Sequence, residues 1–211
     1  LRETGFNADI LYVGVHCGHL GFLQEVGIDQ LDMMVKSLKE NSFKIEELSV
    51  EEAIVKSSAG EWLFSALNET LIREKNLRVL HMDVLINGHF LERFSGDGFI
   101  IATPIGSTAY NMSAGGSIVY PSLDTLQLTP MAPLSSKSFR SLQNSIIVPP
   151  KMKVTLIPDK ERARDLLLIV DGEIHTITDV QEIEVRMSEK HIKSLRFQTY
   201  SFWTRIQEKF L

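Results

Sequence analysis

Between Ser95 and Gly116 the chain reads Ser-Gly-Asp-Gly-Phe-Ile-Ile-Ala-Thr-Pro-Ile-Gly-Ser-Thr-Ala-Tyr-Asn-Met-Ser-Ala-Gly-Gly. A carboxylate, Asp97, stands between two glycines, and a short apolar run, Phe99 to Ala102, follows as a buried strand. The next loop crowds Thr103, Ser107, Thr108 and Ser113 around Gly106, Ala109 and Tyr110, and opens into a short helix. Small residues leave room, hydroxyls supply donors and acceptors, and a helix N-terminus favours anionic groups. A plain structural loop has little use for so many Gly, Ser and Thr beside one Tyr, so this segment is read as a ligand-binding loop.

Two further places carry weaker signals. Asn68-Glu69 pairs an amide, which both donates and accepts, with a carboxylate, a combination suited to adenine edges and ribose hydroxyls; two solvated polar residues at a strand end are the alternative. Gly14 to Leu23, with Gly18 and Gly21, follows an apolar run and would let backbone approach a ligand at the carboxyl end of a strand, or simply make a tight connection. His16-Cys17-Gly18-His19 offers soft ligands, but with one cysteine in the chain and His81, His89, His175 and His191 scattered, it reads as a turn. Asn111-Met112-Ser113-Ala114-Gly115 lacks the first glycine of a nucleophile elbow. No G-x-x-x-x-G-K-[ST], G-x-G-x-x-G, H-E-x-x-H or protein-kinase signature is present.

The elements that must position these residues come in two textures. Ala8 to Val15 is nearly continuous in apolar residues, as in a strand buried on both faces. Asp29 is placed to cap a helix with Ile28, Leu31, Met34, Val35 and Leu38 on its apolar face. Beyond Glu40-Asn41-Ser42 the pattern turns to period two. Leu80, Met82, Val84 and Ile86 alternate, Asn87-Gly88 signals a two-residue turn, and Phe90, Glu92 and Phe94 return. Strands follow at 99–102, 146–148, 154–157, 166–170 and 183–185, with a second turn signal at Asp171-Gly172, and 201–210 is helical with Phe202, Ile206 and Phe210 on one face. The expected architecture is α/β plus all-β: residues 1–41 as the C-terminal part of a Rossmann-like α/β nucleotide-binding domain, 42–200 as a β-sandwich-like domain, and 201–211 as a helix packing back on the α/β part.

The bulk figures bound the function classes. In 211 residues, 22 Lys and Arg face 27 Asp and Glu, for a net charge of −5, and 44% of residues are hydrophobic. Such a chain has an ordinary globular composition and no basic footprint for nucleic acid. One cysteine excludes an internal disulfide framework, and no apolar run approaches a membrane helix.

The segment GDG, four apolar residues, TP-x-GSTAYN-x-SAGG resembles the NAD kinase family. Asn68-Glu69, the loop Gly18 to Phe22, Leu128 to Pro133, and Val170-Asp171-Gly172 match that family in the same order. The resemblance implies transfer of the terminal phosphoryl of ATP, or of polyphosphate, to the 2′-hydroxyl of the adenosine ribose of NAD, with Mg²⁺ or another divalent cation, in a cytoplasmic homo-oligomer, dimer or tetramer, with no nucleic-acid or membrane partner. It also implies site roles. Asn68 and Glu69 would hold adenosine, with Phe22 packed near them. Asp97 would reach the nicotinamide end, and Thr108, Ala109, Tyr110 and Ser113 would line the dinucleotide pocket. Ala132 would contribute from a neighbouring loop, and Asp171 would stand near the substrate or simply occupy a type I′ turn.

Two departures matter. The family's Gly-Gly-Asp-Gly loop, whose Asp is expected to act as general base, matches nothing here. The expectation is that it lies before Leu1, so that no catalytic residue falls within these 211 residues and they bind NAD or NADP weakly without phosphorylating it. Many members carry Arg two residues before the Asp97 position, where this chain has Ser95, which places a phosphate or metal contact in doubt; Arg93 lies two positions further back. The competing readings are a lipid kinase of related fold and a non-catalytic dinucleotide-binding or oligomerisation module.

Overall fold

The computed structural model describes residues 1–17, 21–136, 140–161, 165–197 and 201–211. Gly18 and His19, expected in the first glycine-rich loop, lie outside the described residues. In chain order the strands are β1 (Leu11–Tyr12), β2 (Gly14–His16), β3 (Gln24–Gly27), β4 (Lys44–Ser57), β5 (Gly60–Ala66), β6 (Glu69–Glu74), β7 (Leu80–Ile86), β8 (His89–Gly96), β9 (Gly98–Ala102), β10 (Leu126–Met131), β11 (Ile146–Val148), β12 (Val154–Pro158), β13 (Leu166–Val170), β14 (Glu173–Ile177) and β15 (Val180–Arg196). The helices are α1 (Leu31–Lys39), α2 (Tyr110–Ser113) and α3 (Phe202–Phe210). The chain divides into two compact units, Leu1–Leu48 with Lys190–Leu211, and Ser49–Glu189.

The larger unit is two sheets with a core between them. One sheet runs β5-β4-β15-β12-β7-β8 and the other β11-β10-β9-β6-β13-β14. The alternation in the sequence decides which residues meet. Ala53 and Val55 of β4, Leu80, Met82 and Val84 of β7, and Phe94 of β8 turn inward from the first sheet. Ile72, Phe99, Ile101, Leu126, Leu128, Leu166 and Leu168 turn inward from the second. Phe94 and Phe99 meet edge to face at 5.1 Å. β9 is buried along its whole length because its other face is covered as well: Leu71, Ile100 and Ala102 pack there under Ala114, Met131 and Ile169. That double burial is why its sequence reads as an unbroken apolar run.

Both turn signals are realised. Asn87 and Gly88 have φ of 50° and 77°, and Asp171 and Gly172 have 46° and 82°, the left-handed pair of a type I′ turn. The Asn87 turn also latches onto a neighbouring strand: its Oδ1 accepts the Lys153 N–H at 2.8 Å and its N–H donates to the Lys153 carbonyl at 2.9 Å.

The smaller unit departs from the local reading. The run Ala8 to Val15 forms two short strands rather than one. β1 pairs parallel with the end of β15 through Leu11 and Lys193, and β2 pairs parallel with β3. The break follows from close approach at Gly14, where a Cβ would come within 2.8 Å of the Leu23 carbonyl. Ile10 and Leu11 stay exposed. Asp29 does not cap a helix; it sits inside the 3-10 turn Ile28–Gln30 that leads into α1, and the Gln30 side chain accepts the Gly27 N–H at 3.1 Å. Ile28, Leu31 and Val35 of the expected apolar face are exposed, while Met34 and Leu38 are half-buried. α3 starts at a Ser201 cap and places Phe202 and Phe210 against Phe22, with ring centroids 6.0 and 5.4 Å away. Beside it, Glu25 accepts the Phe197 N–H, and Arg196 pairs with Glu46 and donates to the Leu23 carbonyl at 3.0 Å.

Because Ile101 is wholly enclosed between the sheets, Ile101→Ala should leave a cavity with little room to collapse. Urea unfolding is expected to show a loss of about 3 kcal/mol with an unchanged m-value.

Candidate functional site

The site grows from the point where β6 begins and β9 ends, Glu69 being paired with Ala102. Leu67 and Asn68 lead into β6 without strand partners of their own, and four interactions hold them. The Asp171 carboxylate accepts the N–H groups of Leu67, Asn68 and Glu69, at 2.9, 2.7 and 3.2 Å. Its own N–H donates to the Glu69 carbonyl at 3.0 Å. Thr103, the first residue after β9, donates its N–H to the Asn68 carbonyl at 2.9 Å and its hydroxyl to the Leu67 carbonyl. Gly106 lies flat against the Asn68 carbonyl, where a Cβ would fall 1.8 Å from its oxygen. Three charge-assisted bonds to one carboxylate make a rigid cradle, and they presuppose that a residue at φ of 46° can point its side chain across the turn.

The hydroxyl-rich loop serves itself first. Ser107 Oγ donates to the Pro104 carbonyl at 2.6 Å and accepts the Val119 N–H at 2.9 Å. Thr108 Oγ1 donates to the Ile105 carbonyl at 3.1 Å. Asn111, wholly buried, accepts from the Thr129 hydroxyl at 2.6 Å, and the Gln127 side chain clasps both backbone groups of Ser117. The loop is therefore a stiff platform whose outward groups are Ala109, Tyr110 and Ser113: Tyr110 and Ser113 are exposed and Ala109 half-buried, whereas Thr108 is buried. Asn68 is half-buried beside them, and the Tyr110 N–H reaches the Glu69 carboxyl.

Electrostatically the centre of this group is Glu69. Burial raises its pKa to about 7, the nearby Asp171 charge adds to the rise, and the Tyr110 N–H opposes it. Beneath it lies a residue absent from the sequence reading. Glu51 of β4 has the parity of Ala53 and Val55, pairs across the strand with Ala66, and is completely enclosed. Burial pushes its carboxyl well up, with the Asp171 and Glu69 charges pushing the same way. The Thr70 hydroxyl faces it without hydrogen-bond geometry and offsets this only in part. An acid in core parity on an otherwise apolar strand face was the available signal.

The remaining candidates stand elsewhere. Asp97 and Ala132 meet each other at the far end of β9: the Asp97 N–H donates to the Met131 carbonyl at 2.9 Å, and Gly96 lets the strands approach so closely that a Cβ would lie 2.7 Å from that oxygen and 3.1 Å from the Ala132 carbonyl. Both residues are exposed, and Ala132 adopts φ of 42°. Five steps of extended chain separate Asp97 from Ala102, roughly 16 Å at about 3.3 Å each. One chain thus brings Asn68, Glu69, Ala109, Tyr110 and Asp171 together at one end of β9 and Asp97 with Ala132 at the other. Phe22 belongs to the smaller unit, where its ring contacts are Phe202 and Phe210. Ser95 is fully buried, and Arg93 is engaged by Asp83 at 2.7 and 3.2 Å on the exposed face. Among the described residues no group of three or more His, Cys, Asp or Glu is placed to hold a metal ion, and no helix is long and apolar enough to cross a membrane.

Comparison with known proteins gives a consistent set of likenesses. Residues 67–197 match the ATP-NAD kinase C-terminal domain. The chain is 38% identical to an NAD kinase of Finegoldia magna, covering 96% of this chain and 76% of that protein. It is 32% identical to an NAD kinase of Sulfurimonas denitrificans, covering 98% and 71%. Among solved structures it superposes on yeast NADH kinase complexed with NADH with a TM-score of 0.79 at 28% identity, covering 92% of this chain and 57% of that one. It superposes on an NAD kinase from Archaeoglobus fulgidus in complex with ATP with a TM-score of 0.71 at 26% identity, covering 93% and 72%.

Two outcomes follow from the geometry. The raised pKa of Glu69 means that the folded protein holds a proton which the unfolded chain gives up near 4.5. Wild-type stability should therefore fall relative to Glu69→Gln as pH rises from about 4.5 to about 7, by on the order of 3 kcal/mol, and run level above. Denaturant titrations across that range check it. Gly106→Ala forces a Cβ onto backbone that cannot yield, and its thermal midpoint is expected to drop by roughly 5 °C or more.

Proposed function

Since the chain belongs to the NAD kinase family, whose members phosphorylate NAD, we propose that its sandwich unit is the part that grips the dinucleotide, with the Asn68–Glu69 pair on the adenosine. The observation that carries this is the cradle under the pair: three N–H groups on one Asp171 carboxylate and a glycine pressed on the Asn68 carbonyl. Such bracing fixes Asn68 and Glu69 for recognition of a planar base and its ribose, and Tyr110 and Ser113 present an aromatic face and a hydroxyl beside them. In this reading Asp171 serves as the brace, and both the turn role and the site role expected of it belong to one side chain. Phosphoryl transfer is chiefly a matter of positioning and charge neutralisation, so rigid placement of the ribose is the contribution this unit makes.

The phosphoryl donor is ATP, a reading supported by the ATP complex of the Archaeoglobus fulgidus relative. The described residues do not fit a resident divalent cation: the Asp171 carboxylate is filled by N–H donors, Glu69 is engaged by Tyr110 and Glu51 is enclosed. Residues 1–41 are read as the end of an α/β nucleotide-binding domain, 42–200 as the dinucleotide-binding domain, supported by the profile match over 67–197, and 201–211 as a helix that packs on the former. The whole protein is read as a cytoplasmic homo-oligomer. The separation along β9 supports the oligomer: Asp97 and Ala132 can join the Asn68–Glu69 pair around one ligand when they come from a second copy.

Complementation tests both parts. Calorimetric titration with NAD should show binding weakened at least about tenfold in Asn68→Ala and in Asp97→Ala. Co-expressed Asn68→Ala and Asp97→Ala chains should regain tight binding in a fraction of the sites. Unchanged affinity in Asn68→Ala would remove the assignment; loss in both single variants without recovery in the mixture would remove the shared site.

A further inference from the structure

His81 and Ser95 face each other across β7 and β8, His81 Nδ1 lying 2.7 Å from Ser95 Oγ. Their neighbours Leu80, Met82 and Phe94 turn into the core, so His81 and Ser95 point the opposite way, to the outer face of the sheet. Asp83 and Arg93 share that outer face, and there Arg93 is 65% exposed. Ser95, two residues on, is wholly buried, and His81 nearly so. At Ser95 the edge of the strand is also occupied. Leu134 and Ser141 stand along the free edge of β8, the last strand of its sheet: the Leu134 N–H donates to the Ser95 carbonyl at 2.7 Å, and the Ser95 N–H donates to Ser141 Oγ at 3.0 Å. The Leu142 N–H donates to Glu92 Oε2 at 2.8 Å, from the same edge to a side chain with the parity of Phe94. Every polar atom of Ser95 is thus used, one of them by His81.

We propose that His81 and Ser95 form a positioning pair that docks the segment after Ala132 onto β8 and so holds Ala132 and Asp97 side by side for the ligand. The inference rests on the reading of Asp97 and Ala132 as dinucleotide contacts. Ser95 sits two residues before Asp97 on one side of that junction and bonds Leu134, two residues after Ala132, on the other. A wholly buried hydroxyl must have a partner, since an unsatisfied one is costly. His81 Nδ1 is that partner and it fixes the Ser95 rotamer. Ala132 holds φ of 42° without being glycine, a conformation that persists only where the surroundings over-determine it, and the docked segment supplies that restraint. Neither residue reaches substrate, so the pair acts through Asp97 and Ala132.

Variants of the full-length protein test this. Ser95→Ala and His81→Phe remove the bond while sparing volume. Each should weaken NAD binding about tenfold and raise KM for NAD with kcat changed little. The double variant should be no weaker than either single one. His81→Asn keeps a polar atom where Nδ1 stands and should bind within about twofold of wild type. Hydrogen exchange at the Leu134 amide should quicken in Ser95→Ala and stay slow in His81→Asn. Should His81→Phe not fold, Ser95→Ala, which deletes one oxygen, decides the matter. Wild-type affinity in Ser95→Ala beside a weakened Asp97→Ala overturns this inference alone. Wild-type affinity in Asp97→Ala overturns the reading of that end of the site, and this inference with it.

Discussion

One carboxylate organises the candidate site. Asp171 draws the three successive N–H groups of Leu67, Asn68 and Glu69 onto itself, at the point where the chain leaves one sheet and enters the other. The first two of those donors precede the strand pairing of β6 and have no ladder to join; without an acceptor they would be a buried liability. A side chain supplies it from the left-handed position of a type I′ turn, a conformation Asp tolerates better than most residues. The turn, the strand start and the presentation of Asn68 and Glu69 all depend on that geometry. Thr103 and Gly106 close the same segment from the β9 side, so the two loops most suggestive of ligand binding are braced against each other.

The acids around this point set its electrostatics. The charges of Asp171 and Glu69 both raise the pKa of Glu51, that of Asp171 raises the pKa of Glu69, and burial works the same way on both glutamates. A group titrating near neutrality inside a braced loop is a feature of functional sites more than of cores. Glu51 is the clearest departure from packing logic: a carboxyl in the parity of Ala53 and Val55, between two sheets that are otherwise apolar there. Its cost to the fold is reduced by keeping its proton.

β9 gives the site its dimension. Five buried residues form a rigid bar, with the Asn68–Glu69 cradle at one end and the Asp97–Ala132 junction at the other. A rigid spacer of this length keeps the two groups apart in one chain. Leu134 and Ser141, bonded along the edge of β8 at Ser95, brace the second end as Asp171 braces the first.

Much of this was legible in the residues. Period-two alternation in 80–94 and the pairs Asn87-Gly88 and Asp171-Gly172 determined the hairpins, because side-chain parity and left-handed φ are local properties. The crowding of Gly, Ser and Thr after Ala102 marked the loop, because only small residues permit such close backbone contact. Other outcomes depended on partners far along the chain. Ala8 to Val15 looked like one buried strand and became two, since Gly14 meets Leu23 and the strand partners come from β3 and β15. Asp29 looked like a cap and sits in a 3-10 turn, since Gln30 takes the Gly27 N–H. That Ser95 is enclosed while Arg93 on the same face is exposed depends on the neighbours that tertiary structure brings to each. That Asp171 braces Asn68, that Glu51 lies beneath Glu69, and that Asp97 stands a strand's length away are facts of tertiary structure, decided by sheet order and register, which bring together residues more than a hundred positions apart.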